Sequence, residues 1–203
     1  SKGSSYFIPK VAKSNEAFMG KIFSITLKMD KPDDKPGDAE QRAERAAQLF
    51  IVNESAKVEV KGSELKIEGD LGKVLASALR DSETMYRNEG EKIKALYGTV
   101  MKTDDVKQMY RQWHNVLSKM DTEFKKAKMA KESKIVSDVM KKAIEASYNF
   151  YEIQPESIKE KYGLVVGLLI FYVIYTMWWG FAIFFIFEGV GLSMKKAKVK
   201  KEV

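Results

Sequence analysis

Residues 57–68 read KVEVKGSELKIE, and their alternation decides how the folded part of this chain is built. With Gly62 and Ser63 as a two-residue turn, glycine first, Val60 faces Leu65 and Val58 faces Ile67. The same register sets Lys61 against Glu64, Glu59 against Lys66 and Lys57 against Glu68. Apolar pairs fall on one face and three opposite-charge pairs on the other. A slip of one residue would turn every side chain to the wrong side, so the register is well specified.

Upstream, Phe23, Ile25, Leu27 and Met29 alternate with Ser24, Thr26 and Lys28, the pattern of a half-buried strand. Two prolines and a glycine between Lys31 and Asp38 mark a loop. Asp38 followed by Gln41 suits a helix start, and Ala43, Ala46, Ala47 and Phe50 give that helix a modest apolar face. Strand, helix and hairpin make a small α+β module over residues 20–70, with a thin core. Residues 1–19 are polar and basic and read as an arm. The sequon Asn53-Glu54-Ser55 fits an exported surface.

Downstream, residues 71–154 read as a helical hairpin or stalk. Asp70 caps a helix whose stripe is Leu71, Val74, Leu75, Ala78, Leu79, Met85 and Tyr86, with an interruption at Gly90 before Ile93, Leu96 and Tyr97. Thr103 is the expected cap of the next helix, with Asp104 and Asp105 in its first turn. Its stripe runs Val106, Met109, Tyr110, Trp113, Val116, Leu117, Met120 and Phe124. The two helices are expected to pair across Gly98. A further stripe, Ile135, Val136, Val139, Met140, Ala143 and Ile144, follows, and Pro155 is expected to end it.

From Gly163 to Phe187 the chain reads GLVVGLLIFYVIYTMWWGFAIFFIF, without a charge. A helix of this length rises about 37 Å, enough to cross a hydrocarbon core of roughly 30 Å. Residues 155–194 are therefore expected to hold one membrane-spanning helix, and 195–203 a basic tail. Tyr172, Tyr175, Trp178 and Trp179 lie near mid-span, although tyrosine and tryptophan favour the headgroup level. Their polar atoms need partners that neighbouring protein helices can supply. Gly163 and Gly167 form a GxxxG pair that permits close helix approach. These six residues are the expected packing surface in the membrane.

The 203 residues carry 35 Lys and Arg against 28 Asp and Glu, for a net charge of +7, with no cysteine and one histidine. No disulfide, thiolate nucleophile, zinc-thiolate site or histidine cluster can be built from that inventory. No phosphate-cradling glycine loop is present. His114 reads as a surface residue, Asp104 and Asp105 as helix-capping acids, and Glu188 as an interfacial acid. No cofactor, metal or catalysis is expected. The lysines from Lys119 to Lys134 admit a solvated face, an anionic-lipid patch or a nucleic-acid contact. Nucleic acid is the least favoured, because arginine is scarce and no aromatics interleave. Lys125, Lys126, Lys128 and Lys131, with Lys195 and Lys196 of the tail, are the candidate headgroup contacts.

The positive-inside rule sets the lysine-rich C-terminus on the cytoplasmic or matrix side. Insertion as a tail anchor would give the opposite topology. Lys200-Lys201-Glu202-Val203 has the form of a dilysine signal, which fits an exported N-terminal region. The resulting expectation is a non-catalytic, single-pass subunit of a larger membrane protein complex, with other membrane subunits and the bilayer as partners. A respiratory-chain or ATP-synthase accessory subunit of the mitochondrial inner membrane, or a subunit in a prokaryotic plasma membrane, is one setting. A viral or phage membrane-anchored structural protein is the alternative.

Overall fold

A computed structural model describes residues 6–154 and 161–191, in two units that divide after Pro155. In the first unit, β1 (Ile22–Lys28), β2 (Ala56–Lys61) and β3 (Glu64–Asp70) form an antiparallel sheet in the order β1-β3-β2. The hairpin has the expected register: Val60 pairs with Leu65, Val58 with Ile67, Lys61 with Glu64, Glu59 with Lys66 and Lys57 with Glu68. Gly62 takes φ +59, a conformation open to glycine, and Ser63 does not have a positive φ, as a glycine-first turn requires. β1 joins the other side of β3, with Ile25 opposite Ile67 and Leu27 opposite Leu65. The fold is α+β, with a small open sheet, flanking helices and a long helical stretch.

Among the described residues the first unit holds seven α-helices besides the sheet, α1 (Ile8–Asn15), α2 (Asp38–Val52), α3 (Leu71–Tyr86), α4 (Gly90–Met101), α5 (Val106–Lys126), α6 (Ala130–Val139) and α7 (Glu145–Phe150), and the second unit holds α8 (Tyr162–Gly189). A π-helical turn, Met140–Ile144, joins α6 to α7. Asp70 caps α3 as expected, its carboxylate accepting from the backbone N–H of Lys73 at 3.3 Å and of Gly20 at 2.8 Å. At α5 the cap is Asp105, which accepts from the Gln108 N–H at 3.0 Å, and not Thr103. The Thr103 hydroxyl instead accepts from the Asp105 N–H and shapes the turn before the helix. Gly98 lies inside α4, so the chain does not reverse there. The helix ends at Lys102, in the left-handed conformation, and the reversal follows it.

Within the first unit, helices and sheet share one core. The inner sheet face (Phe23, Leu27, Leu65, Ile67) meets Leu49 and Phe50 of α2 and the stripe Met109, Trp113, Val116, Met120 and Phe124 of α5. Phe124 packs edge-on to Phe23, and Trp113 edge-on to Phe50, each at 5.9 Å between centroids. Residues 71–154 therefore complete the core that the sheet begins, and the core continues across residue 70.

Residues 1–19, expected to be a polar arm, contain α1 and a short 3-10 turn, Glu16–Phe18. Ile8 and Val11 are buried against the main core, and Asn15 donates to the Gly72 carbonyl at 2.8 Å. Two apolar residues among lysines give a thin stripe, which is why the helix is hard to see in the sequence. The turn docks on the first turn of α3 at Gly72, where a Cβ would lie 2.6 Å from both the backbone N and the Cα of Met19. Gly72→Ala should therefore destabilise the fold by about 1–3 kcal/mol, because backbone and not a flexible side chain must yield. Urea unfolding should show a lower midpoint at unchanged slope. An unchanged midpoint would mean that the Glu16–Phe18 turn does not dock there.

Candidate functional site

The second unit holds α8, 28 residues with none buried, long and apolar enough to cross a membrane. It rises about 42 Å. A core helix of a soluble protein of this length would be mostly covered by its neighbours. Among the described residues it is the one helix with these properties.

The six residues expected to pack in the membrane do not share a face. At about 100° per residue, Gly163, Gly167, Ile170, Ile174, Trp178, Phe181 and Phe185 fall within roughly an 80° arc. Tyr172, Tyr175 and Trp179 fall within roughly a 60° arc on the far side. The glycine face is open, with nothing within 4 Å of a Cβ at either glycine, and continues into a groove lined by Ile174, Met177, Trp178, Phe181 and Phe185. On the tyrosine face, the Trp179 indole N–H donates to the Tyr175 hydroxyl at 2.8 Å, one turn away. The Tyr175 ring stacks on Phe171. This pair meets part of its own hydrogen-bonding need. The Tyr172 hydroxyl and the Trp178 indole N–H have no hydrogen-bond partner among the described residues, and their positions lie roughly 120° apart around the helix.

The basic stretch is divided as well. Lys125 pairs with Asp121 and Lys126 with Glu123, each at 2.6 Å. Lys128 sits at positive φ in the turn between α5 and α6. With Lys125, Lys134, Ser133, Ser137 and Asp138 it lines a groove of about 450 Å³. Lys131 is exposed nearby and lies outside that lining. Lys134, absent from the expected set, belongs to it. Lys195 and Lys196, with Pro155 and the dilysine-like end, lie outside the described residues.

The sequence reading missed a buried polar cluster. Asp81 of α3 is 1% exposed, and its carboxylate accepts from the Trp113 indole N–H at 2.8 Å, from the Tyr97 hydroxyl and from the exposed Arg80 guanidinium at 3.2 Å. Burial raises the Asp81 carboxyl above the usual carboxylate range, against the lowering pull of these donors. Burial also raises the Tyr97 and Tyr110 phenols, so both stay protonated donors. Asn53 is held in the same cluster, donating to the Leu49 carbonyl and to the Tyr97 hydroxyl at 2.6 Å and accepting from Arg80. Ser55 is buried. Asn53 is half-buried, and its side-chain amide is engaged by these bonds. Asp81 with its donors Tyr97 and Trp113 ties α3, α4 and α5 together.

Asp104, Asp105 and His114 have local partners. Asp105 caps α5, Asp104 pairs with Lys94 at 2.9 Å, and His114 lies 3.5 Å from Glu145 on the surface. Among the described residues, no three of histidine, aspartate or glutamate gather closely enough to hold a metal ion. Compared with protein-family models, with curated proteins and with solved structures, the chain gives no match.

Proposed function

We propose that this protein is a non-catalytic, single-pass membrane subunit that scaffolds a larger membrane protein complex, with α8 as both anchor and contact. The observation that carries this reading is the pair of polar aromatic groups near mid-helix, Tyr172 and Trp178, with no partner in their own helix. A hydroxyl or indole N–H left without a hydrogen bond in an apolar medium costs about 1–3 kcal/mol. Roughly 120° apart around the helix, the two groups ask for neighbours on two faces. The open Gly163–Gly167 face lets one of those neighbours approach closely. The folded first unit then supplies an extramembrane contact module.

The groove at Lys125, Lys128 and Lys134 offers a site for anionic headgroups, and the basic tail, with Lys195 and Lys196, sets the C-terminus on the cytoplasmic or matrix side by the positive-inside rule. An accessory subunit of an energy-converting complex is the setting that best matches a basic chain with one candidate membrane span.

Replacing Tyr172 and Trp178 together with phenylalanine keeps the helix apolar, so insertion should be unaffected. Association should weaken by about 1–2 kcal/mol, on the order of 5- to 30-fold. Native electrophoresis of mild-detergent extracts should show the wild type in a large assembly and the variant largely released. A wild-type chain that migrates as a monomer would defeat the scaffold reading.

A further inference from the structure

The strand order β1-β3-β2 leaves β2 hydrogen-bonded on one side only. Among the described residues, no other backbone hydrogen bond reaches residues 56–61. An edge of unpaired N–H and C=O groups is a template for another strand. This edge is also bordered by apolar surface. Val58 and Val60 line a groove with Arg45 and Ile51 of α2 and Val100 of α4. Ile51 is 52% exposed, Val100 43% and Val60 37%. A fourth strand here would lay its inward side chains over that groove.

The β2 sequence, Ala56-Lys57-Val58-Glu59-Val60-Lys61, is complementary to itself in one antiparallel register. A two-fold axis through Val58 sets Val58 against its own copy, Ala56 against Val60, and each Lys57 against the other copy's Glu59. Five of the six strand residues then pair, with both charge pairs attractive. An axis through Glu59 instead opposes Glu59 to Glu59 and Lys57 to Lys61. An axis through Val60 keeps Glu59 against Lys61 but runs Val58 into Gly62 of the turn, and only three strand residues pair. Odd offsets bring lysine against valine on the wrong face.

We infer that β2 is a homodimerisation edge, at which two copies of this chain pair antiparallel about Val58 to make a continuous six-stranded sheet. The contact is isologous, so each copy supplies the same strand and the same apolar groove. The inference is independent of what α8 does.

The chain contains no cysteine, so a single introduced thiol reports one position. Full-length protein in detergent, carrying Val58→Cys, should cross-link to a dimer with a short bis-maleimide at least fivefold more than protein carrying Lys10→Cys on α1. Adding Glu59→Lys should return the yield to that of the Lys10→Cys control, because Lys57 then faces lysine. Combining Lys57→Glu with Glu59→Lys restores opposite charges and should restore the dimer. Circular dichroism of each variant checks that it is folded. Equal yields at positions 58 and 10 overturn the proposal, as does a dimer indifferent to Glu59→Lys, or adducts at position 58 to other proteins without dimer.

Discussion

Asp81→Ala is expected to destabilise the first unit by about 2–4 kcal/mol. The substitution leaves the Trp113 indole N–H and the Tyr97 hydroxyl as buried donors without an acceptor, at about 1–3 kcal/mol each. Part of that loss is offset because a buried charge is removed, and Arg80 can turn to water. Asp81→Asn separates the two effects. Its carboxamide oxygen can still accept from Trp113 and Tyr97, with its amide directed toward Arg80, so the cost should be nearer 1 kcal/mol. The wild type should also carry a pH signature. Asp81 has a raised carboxyl in the folded state, so the folded chain binds a proton more readily than the unfolded one between about pH 3.9 and that raised value. The stability it contributes is present at the acid side of this window and is lost as pH rises through it. Asp81→Asn should remove that slope, which urea unfolding at a series of pH values reads directly. An Asp81→Ala variant as stable as wild type would mean that the cluster is not closed as described.

Two charges in α8 should have a larger effect. Ile174→Arg with Met177→Arg places two guanidinium groups within the middle turns of the helix, at about 2.5–3.5 kcal/mol each for insertion. Together about 5–7 kcal/mol would move most of the chain out of the membrane fraction, read as loss of resistance to alkaline carbonate extraction. The first unit should remain folded, since its core lies within residues 8–144. A variant that stays in the pellet like wild type would show that α8 is not bathed in lipid hydrocarbon.

How far the sequence discloses these features depends on the length of the pattern that carries them. The hairpin register is legible to the residue, because valine, leucine and isoleucine alternate with three complementary charge pairs and a glycine-first turn. The Asp70 cap is equally legible, since an acid immediately precedes a helical stripe. At Asp105 the same logic misplaces the cap by two residues, because Thr103, Asp104 and Asp105 are all good caps and only the geometry of the reversal chooses among them. α1 is lost because Ile8 and Val11 are its only buried apolar side chains, and what fixes it is a long-range fit at Gly72.

Asp81 had a signal that went unread. It falls three residues after Ala78 and four before Met85, within a stripe that is otherwise apolar, and such an acid must find donors. Those donors, Tyr97 and Trp113, come from two other helices, so the partners could be found only in three dimensions. Asn53 reads locally as a sequon, yet its side chain is held in the same cluster. In α8 the apolar run is plain, but the list of aromatic and glycine positions concealed a division into two faces. The lysine groove is a similar case: spacing alone could not show that Lys126 is paired with Glu123 while Lys134 joins Lys128.

Residues 162–189 form the candidate span on which the membrane role rests. The chain's lack of cysteine allows the crossing to be tested with single thiols at Tyr162, Val173 and Val190 in sealed proteoliposomes, using a membrane-impermeant maleimide added outside or trapped inside. Positions 162 and 190 should label from opposite sides, and position 173 from neither until detergent is added. Labelling of positions 162 and 190 from the same side, or of position 173 from water, would contradict the crossing.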